Sequence, residues 1–191
     1  MATIGLRDLF YAPITTATDG KETYGTPVRM AKAINADLSV EVAEATLYAD
    51  DAIDVQVKEF VGGTLTLQVN DLAPQIRAVV LGQTQDADGA VLAGENDVPP
   101  YLAVGFRARK TGGEYKYIWL YKIKFGIPNE TYATKGQSIA FNTPSIVGSF
   151  QKRPDGNWKI DYEGLPSDPV ASNWFKQVRE FNAAQQAPDT P

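Results

Sequence analysis

Period-two alternation of apolar and polar positions dominates this chain, and it is clearest from Tyr115 to Phe125. Odd positions there are Tyr115, Tyr117, Trp119, Tyr121, Ile123 and Phe125; even positions are Lys116, Ile118, Leu120, Lys122 and Lys124. Aromatic and β-branched residues at strict alternation mark a strand, and apolar residues on both faces at its centre mark a middle strand covered on each side. Tyr101 to Lys110 alternates too, with Leu102, Val104, Phe106 and Ala108 on one face. Gly112-Gly113 between them predicts a two-residue hairpin turn, since glycine accepts the positive φ such turns need. That turn sets Phe106 opposite Trp119, Val104 opposite Tyr121 and Leu102 opposite Ile123, which places the whole odd-numbered stripe in one core.

The same reading along the chain predicts short strands. They are Leu6 to Ile14, Leu38 to Val42, Thr46 to Tyr48, Ile53 to Val57, Leu65 to Val69, Ser138 to Thr143, Ser145 to Arg153 and Trp158 to Tyr162. Val61-Gly62-Gly63 predicts a second hairpin, with an odd-length loop or bulge that sets Val57 opposite Leu67 and Val55 opposite Val69. Arg153-Pro154-Asp155-Gly156-Asn157 is a turn signal, and a three-residue loop there would set Phe150 opposite Ile160. Thr15 to Pro27 reads as a loop, and Gln83 to Pro100 as a long loop or a minor hairpin around Asp88-Gly89. A helix is expected after Asn70 or Asp71 as cap, with Pro74 in its first turn, Leu72, Ile76, Val79 and Val80 as its apolar stripe and Gly82 ending it. A second helix is expected from Ser172 to Phe181. Many short strands with one or two short helices predict a mainly β chain, a β-sandwich or small barrel with a flanking helix and extended loops. One domain is expected over residues 1–182, with a disordered tail at 183–191.

Composition narrows the chemistry. The 191 residues contain no Cys and no His, which excludes disulfides, thiolate nucleophiles and sulfur-ligated metals and removes the commonest general base. No cofactor and no enzyme activity are expected. Lys and Arg number 18 against 23 Asp and Glu, for a net charge of −5, which argues against the basic footprint of a nucleic-acid binder. No apolar run approaches the roughly 18 residues of a membrane span, and the N-terminus lacks a signal-peptide pattern, so a cytoplasmic origin is expected.

Each group of chemistry-bearing residues has a bland reading beside a functional one. Asp86-Ala87-Asp88-Gly89 with Glu95 and Asp97 resembles part of a calcium loop but supplies too few ligands, so a turn is favoured. Asp50, Asp51 and Asp54 are a carboxylate cluster for a metal-dependent hydrolase, or an acidic lumen or loop surface that repels polyanions; the second is favoured. The aromatic stripe at 115–125 is a sugar-stacking platform or, more simply, core. Arg107, Arg109, Lys116, Ile118, Leu120 and Lys122 form a rim that reads either as solvated or as a subunit interface.

Taken together, several stretches resemble the major tail proteins of long-tailed bacteriophages, especially those of phages of Gram-positive bacteria. The resemblance covers about residues 4 to 165 and is carried by Ile4-Gly5-Leu6 to Tyr11-Ala12, Leu47-Tyr48-Ala49-Asp50-Asp51, and Gly63 to Leu67 leading into Asn70-Asp71-Leu72. It continues through Thr143 to Phe150 and Asp155-Gly156-Asn157-Trp158. Its most specific part is Trp119-Leu120-Tyr121-Lys122-Ile123-Lys124-Phe125 following Pro99-Pro100-Tyr101-Leu102-Ala103-Val104-Gly105-Phe106. The resemblance implies a structural virion protein of the phage tail, made in the host cytoplasm. It implies homohexameric rings that stack into a tube around a tape-measure protein, meet tail terminator and baseplate proteins, and pass DNA without binding it specifically. A carbohydrate-binding or adhesion β-sandwich on a virion or cell surface is the alternative, motivated by the nine Tyr and three Trp.

Overall fold

The computed structural model describes residues 2–18, 20–49, 52–132, 134 and 142–181, and these form a mainly β structure. Strand β1 (Thr3–Thr16) is followed by β2 (Glu22–Tyr24), β3 (Val28–Ala31), β4 (Ala33–Ala49) and β5 (Ala52–Val69). Helix α1 (Pro74–Leu81) and the small strands β6 (Thr84–Gln85) and β7 (Val91–Leu92) come next. Then follow β8 (Leu102–Lys110), β9 (Tyr115–Phe125), β10 (Ser145–Phe150), β11 (Lys159–Gly164) and helix α2 (Pro169–Asn173). The predicted strand at Ser138 to Thr143 falls mostly outside the described residues.

The main sheet runs β2-β1-β8-β9-β10-β5-β4, with β3 also on β1 and β11 also on β9. β3 pairs with β1 and β4 pairs with β5, and only Lys32 separates β3 from β4. The chain thus passes from one end of the sheet to the other, and the sheet curls round one apolar cluster into a barrel whose seam between β1 and β4 carries no ladder pairing among the described residues. Asn70 clamps this crossing: its Oδ1 accepts from the Lys32 amide at 3.0 Å and its own amide donates to the Lys32 carbonyl at 3.0 Å. That role replaces the helix cap expected of Asn70; the N-cap of α1 is Ala73, with no side-chain cap hydrogen bond, and its C-cap is Gly82 in the left-handed region, φ 67°. Its buried residues are Ala78, Val80 and Leu81, whereas Val79 is 44% exposed.

Two apolar clusters flank the barrel wall. The inner one joins Leu9, Leu65, Leu67, Leu102, Val104, Phe106, Ile118, Leu120, Ile123, Phe125, Ile146 and Phe150 with Val80 and Leu81 of α1. The outer one packs Ala12, Ala103, Tyr117, Trp119 and Tyr121 beneath Ala171, Trp174 and Val178. Full burial of each such large side chain contributes roughly 1.5–3 kcal/mol. The second predicted helix is therefore a short one that starts earlier, at Pro169; the apolar residues after it cover the barrel from outside, and Phe181 is exposed.

The β8–β9 hairpin forms as expected, but its register differs. The turn holds three residues rather than two. The Lys110 amide donates to the Glu114 carbonyl at 2.8 Å, the Gly113 amide to Lys110 at 3.2 Å, and only Gly113 has positive φ, at 89°. A turn of this kind ends in a one-residue bulge and moves the pairing by one. Gly105 faces Trp119 and Phe106 faces Ile118; an extra residue in β9 between Leu120 and Ile123 then restores Leu102 opposite Ile123. The odd-numbered stripe is accordingly split, with Tyr117, Trp119 and Tyr121 outside and Ile123 and Phe125 inside.

The hairpin expected at Gly62-Gly63 does not exist. β5 runs straight through both glycines, and β4 pairs with it from Ala33↔Val69 to Ala49↔Ala52, so Val57 faces Ala45 and Leu67 faces Ala36. Neither glycine has positive φ. They are needed for space, because a Cβ at Gly63 would collide with the Phe150 ring and the Ser39 carbonyl. Val61 is the bulged residue, between Glu41↔Gly62 and Val42↔Phe60. Phe150 and Ile160 are not paired either: β10 and β11 lie one after the other along β9, with Phe150 opposite Ile123 and Ile160 opposite Trp119. The chain between them leaves the sheet as a tight loop closed by the Arg153 amide, which donates to the Asn157 carbonyl at 2.8 Å.

Candidate functional site

Beyond Glu41 the β4–β5 hairpin continues as an arm with no other strand beside it among the described residues: β5 pairs there with β10 only from Gly63 to Gln68, and β4 only with β5. The eight residues from Val42 to Ala49 give the arm a length of about 25 Å. The register sorts its side chains into two faces. One carries Val42, Glu44 and Thr46 against Phe60, Lys58 and Gln56, where Glu44 pairs with Lys58 at 3.2 Å and accepts a hydrogen bond from Gln56. The other carries Ala43, Ala45 and Leu47 against Glu59, Val57 and Val55. Leu47 is 59% exposed, and Val55 and Val57 are nearly half exposed. A two-stranded ribbon is marginal in water by itself, and one that offers an apolar face and two unpaired edges is built to be covered.

The residues expected to form an interface divide. Ile118 and Leu120 lie in the inner cluster, with Leu120 fully buried, so they belong to this chain's own core and are withdrawn as interface candidates. The three-residue turn is the cause, because it turns the even positions of β9 inward. Lys116 is held by Asp161 at 3.4 Å at the barrel rim. Lys122 pairs with Glu22, whose side chain is only 5% exposed. Arg107 donates from Nε to Asp8 at 2.6 Å and lies over the Tyr115 ring at 4.6 Å. Burial disfavours the charged guanidinium, but hydrogen bonds to Tyr117 and Asp8 outweigh it and raise the Arg107 pKa. Arg109 is exposed.

Asp50 and Asp51 lie outside the described residues, and of Asp54 only the backbone, in β5, is described. Asp86 serves a turn: its Oδ1 accepts from the amides of Asp88 at 3.0 Å and Ala90 at 2.8 Å between β6 and β7. No group of three or more Asp, Glu, His or Cys among the described residues is placed to hold a metal ion. The sugar-stacking platform is ruled out as drawn, because Trp119 is fully buried and its Nε1 donates to the Trp174 carbonyl at 3.0 Å. A cleft of about 700 Å³ lies between the start of α1 and residues 128–132 and 142–145. In it Arg77 donates to Glu130 at 2.8 Å and the Tyr132 hydroxyl also bonds Glu130, so these three serve one another.

Alternation alone does not reveal the arm, because a Gly-Gly pair fits a reversal as readily as a straight strand with a close neighbour. The signal in the sequence is Asp50-Asp51, a turn-forming pair with alternating runs on both sides. No protein-family model matches the chain, and no curated protein matches it.

Proposed function

We propose that this chain is a structural subunit of a bacteriophage tail tube, assembling as hexameric rings that stack into the conduit for DNA delivery. The observation that carries the reading is the arm: an exposed, two-faced β-ribbon whose apolar side and free edges have no cover among the described residues. Closed rings supply that cover, since each subunit contributes an arm and receives one, and every edge is removed at closure. The resemblance of the strands around Pro99 to Phe106 and Trp119 to Phe125 to major tail proteins points the same way, as does an acidic chain suited to letting a polyanion slide past.

Electron microscopy and mass photometry of the purified protein, with and without a tape-measure partner, test the proposal. Rings or tubes of tail width are expected. Joining Val42 to Phe60 through a short Asn-Gly turn removes the arm, and this variant should keep the barrel's circular dichroism and remain monomeric. A wild-type protein that stays monomeric beside its tape-measure partner overturns the proposal.

A further inference from the structure

The register of β1 and β8 sets Arg7 directly opposite Arg107, with Gly5 opposite Arg109. Paired residues share a face, and Arg107 lies on the outside of the barrel over Tyr115. Arg109, two residues on, shares that side. Arg29 of β3 joins them, opposite Phe10, whose ring stacks on Phe175 outside the barrel at 4.8 Å. Like charges directly opposite each other in a sheet are destabilising. The acid beside this group is Asp8, held at φ 56°, which is shared between Arg107 at 2.6 Å and Arg29 at 3.4 Å. Arg7 and Arg109 are exposed and form no ion pair among the described residues. An acidic chain has thus gathered four arginines on one outer face and left two of their charges unanswered.

The outer face of β4 and β5 is the counterpart. Ala36 and Leu38 pack against the inner cluster, so Asp37 and Glu41 point outward, and Glu59 joins them opposite Ala43. All three are exposed, and the described outward positions of β4 and β5 include no Lys or Arg. This acidic surface runs directly into the apolar side of the arm.

We infer that the arginine face of one copy docks on the acidic outer face of β4–β5 of the next copy. The inference rests on the subunit reading above and names the joint within a ring. The two surfaces differ and lie on different strands of the barrel, so the contact is head-to-tail, the kind that repeats around a ring. Opposite charge sets its orientation and excludes the pairing of like faces.

Charge reversal tests it, read by mass photometry and sedimentation velocity over a range of protein and salt concentrations. Arg7→Glu with Arg109→Glu should raise the concentration for half-assembly by at least about tenfold, and Asp37→Arg with Glu41→Arg should do the same. Mixing the two variants, or combining all four changes in one chain, should restore assembly, because each reversed face again meets its opposite. Arg7→Gln with Arg109→Gln serves as a milder pair should the reversals disturb folding, and a several-fold weakening is expected. If wild type assembles and neither face's reversal weakens it, the joint is wrong and the subunit reading stands. If wild type is monomeric at every concentration, both fall. Retention of a short DNA duplex by wild type, lost on changing Arg7 and Arg109, makes the patch a phosphate surface and overturns the inference.

Discussion

Gly105 sits directly opposite Trp119 in the β8–β9 hairpin, and a Cβ at Gly105 would come within 2.6 Å of the indole Cδ2. The absence of a side chain on one strand is what lets the indole lie flat against the sheet beneath Trp174. Gly105→Ala must therefore push the indole or its cover outward. Overpacking of this kind costs about 1–3 kcal/mol. The melting temperature should fall, and near-ultraviolet circular dichroism should show a changed tryptophan signal; an unchanged melting curve would sink the packing argument.

Leu120 gives a second prediction, since its position on β9 turns on that same register. It is fully buried in the inner cluster. Leu120→Ala should cost about 2–5 kcal/mol. Leu120→Asp adds an unpaired buried charge and should yield no folded monomer. Urea titration followed by fluorescence checks both, and a stably folded Leu120→Asp protein would put β9 the other way round.

Glu22 and Lys122 bring β2 against β9 with side chains only 5% and 16% exposed. Removing one partner strands the other charge, so Lys122→Ala should destabilise by about 3–5 kcal/mol. Changing both together, Glu22→Leu with Lys122→Met, should cost far less than the sum of the single changes. A double-mutant cycle in urea measures this, and additive losses would show that the two do not interact.

Alkaline pH should loosen the same region. Burial pushes the Tyr24 hydroxyl up to about 12, against an opposing hydrogen bond from Arg153, and burial raises Tyr121 as well. An unfolded tyrosine titrates near 10. The raised folded value means that the fold holds the phenol proton more tightly, so this contribution is fully present below about pH 10 and is lost as pH rises through about 12. Melting temperatures measured from pH 9 to 12 should fall across that window, with a shallower fall in Tyr24→Phe; a flat profile would contradict the burial of these rings.

How much of this was legible beforehand depends on the range of the forces involved. Alternation is a local property of the chain, so the strand at 115–125, its partner at 102–110, α1 with Gly82 at its end, and the mainly β class could all be read directly. The absence of Cys and His was equally plain, and so was the core character of Trp119. Register was not legible. One residue in the turn at Thr111 to Gly113 decides whether Leu120 faces solvent or core, and that choice is settled by whether Trp119 finds a glycine to lie on and a C-terminal segment to cover it. Gly62-Gly63 carries the same lesson: a glycine pair serves a reversal or a close approach equally well, and only the arrival of Phe150, distant in sequence, shows that β5 runs straight and extends into an arm. Sequence alone determined which residues prefer strands and which chemistry is missing. Tertiary structure decided which side of each strand is inside, because parity has only two values and long-range packing chooses between them.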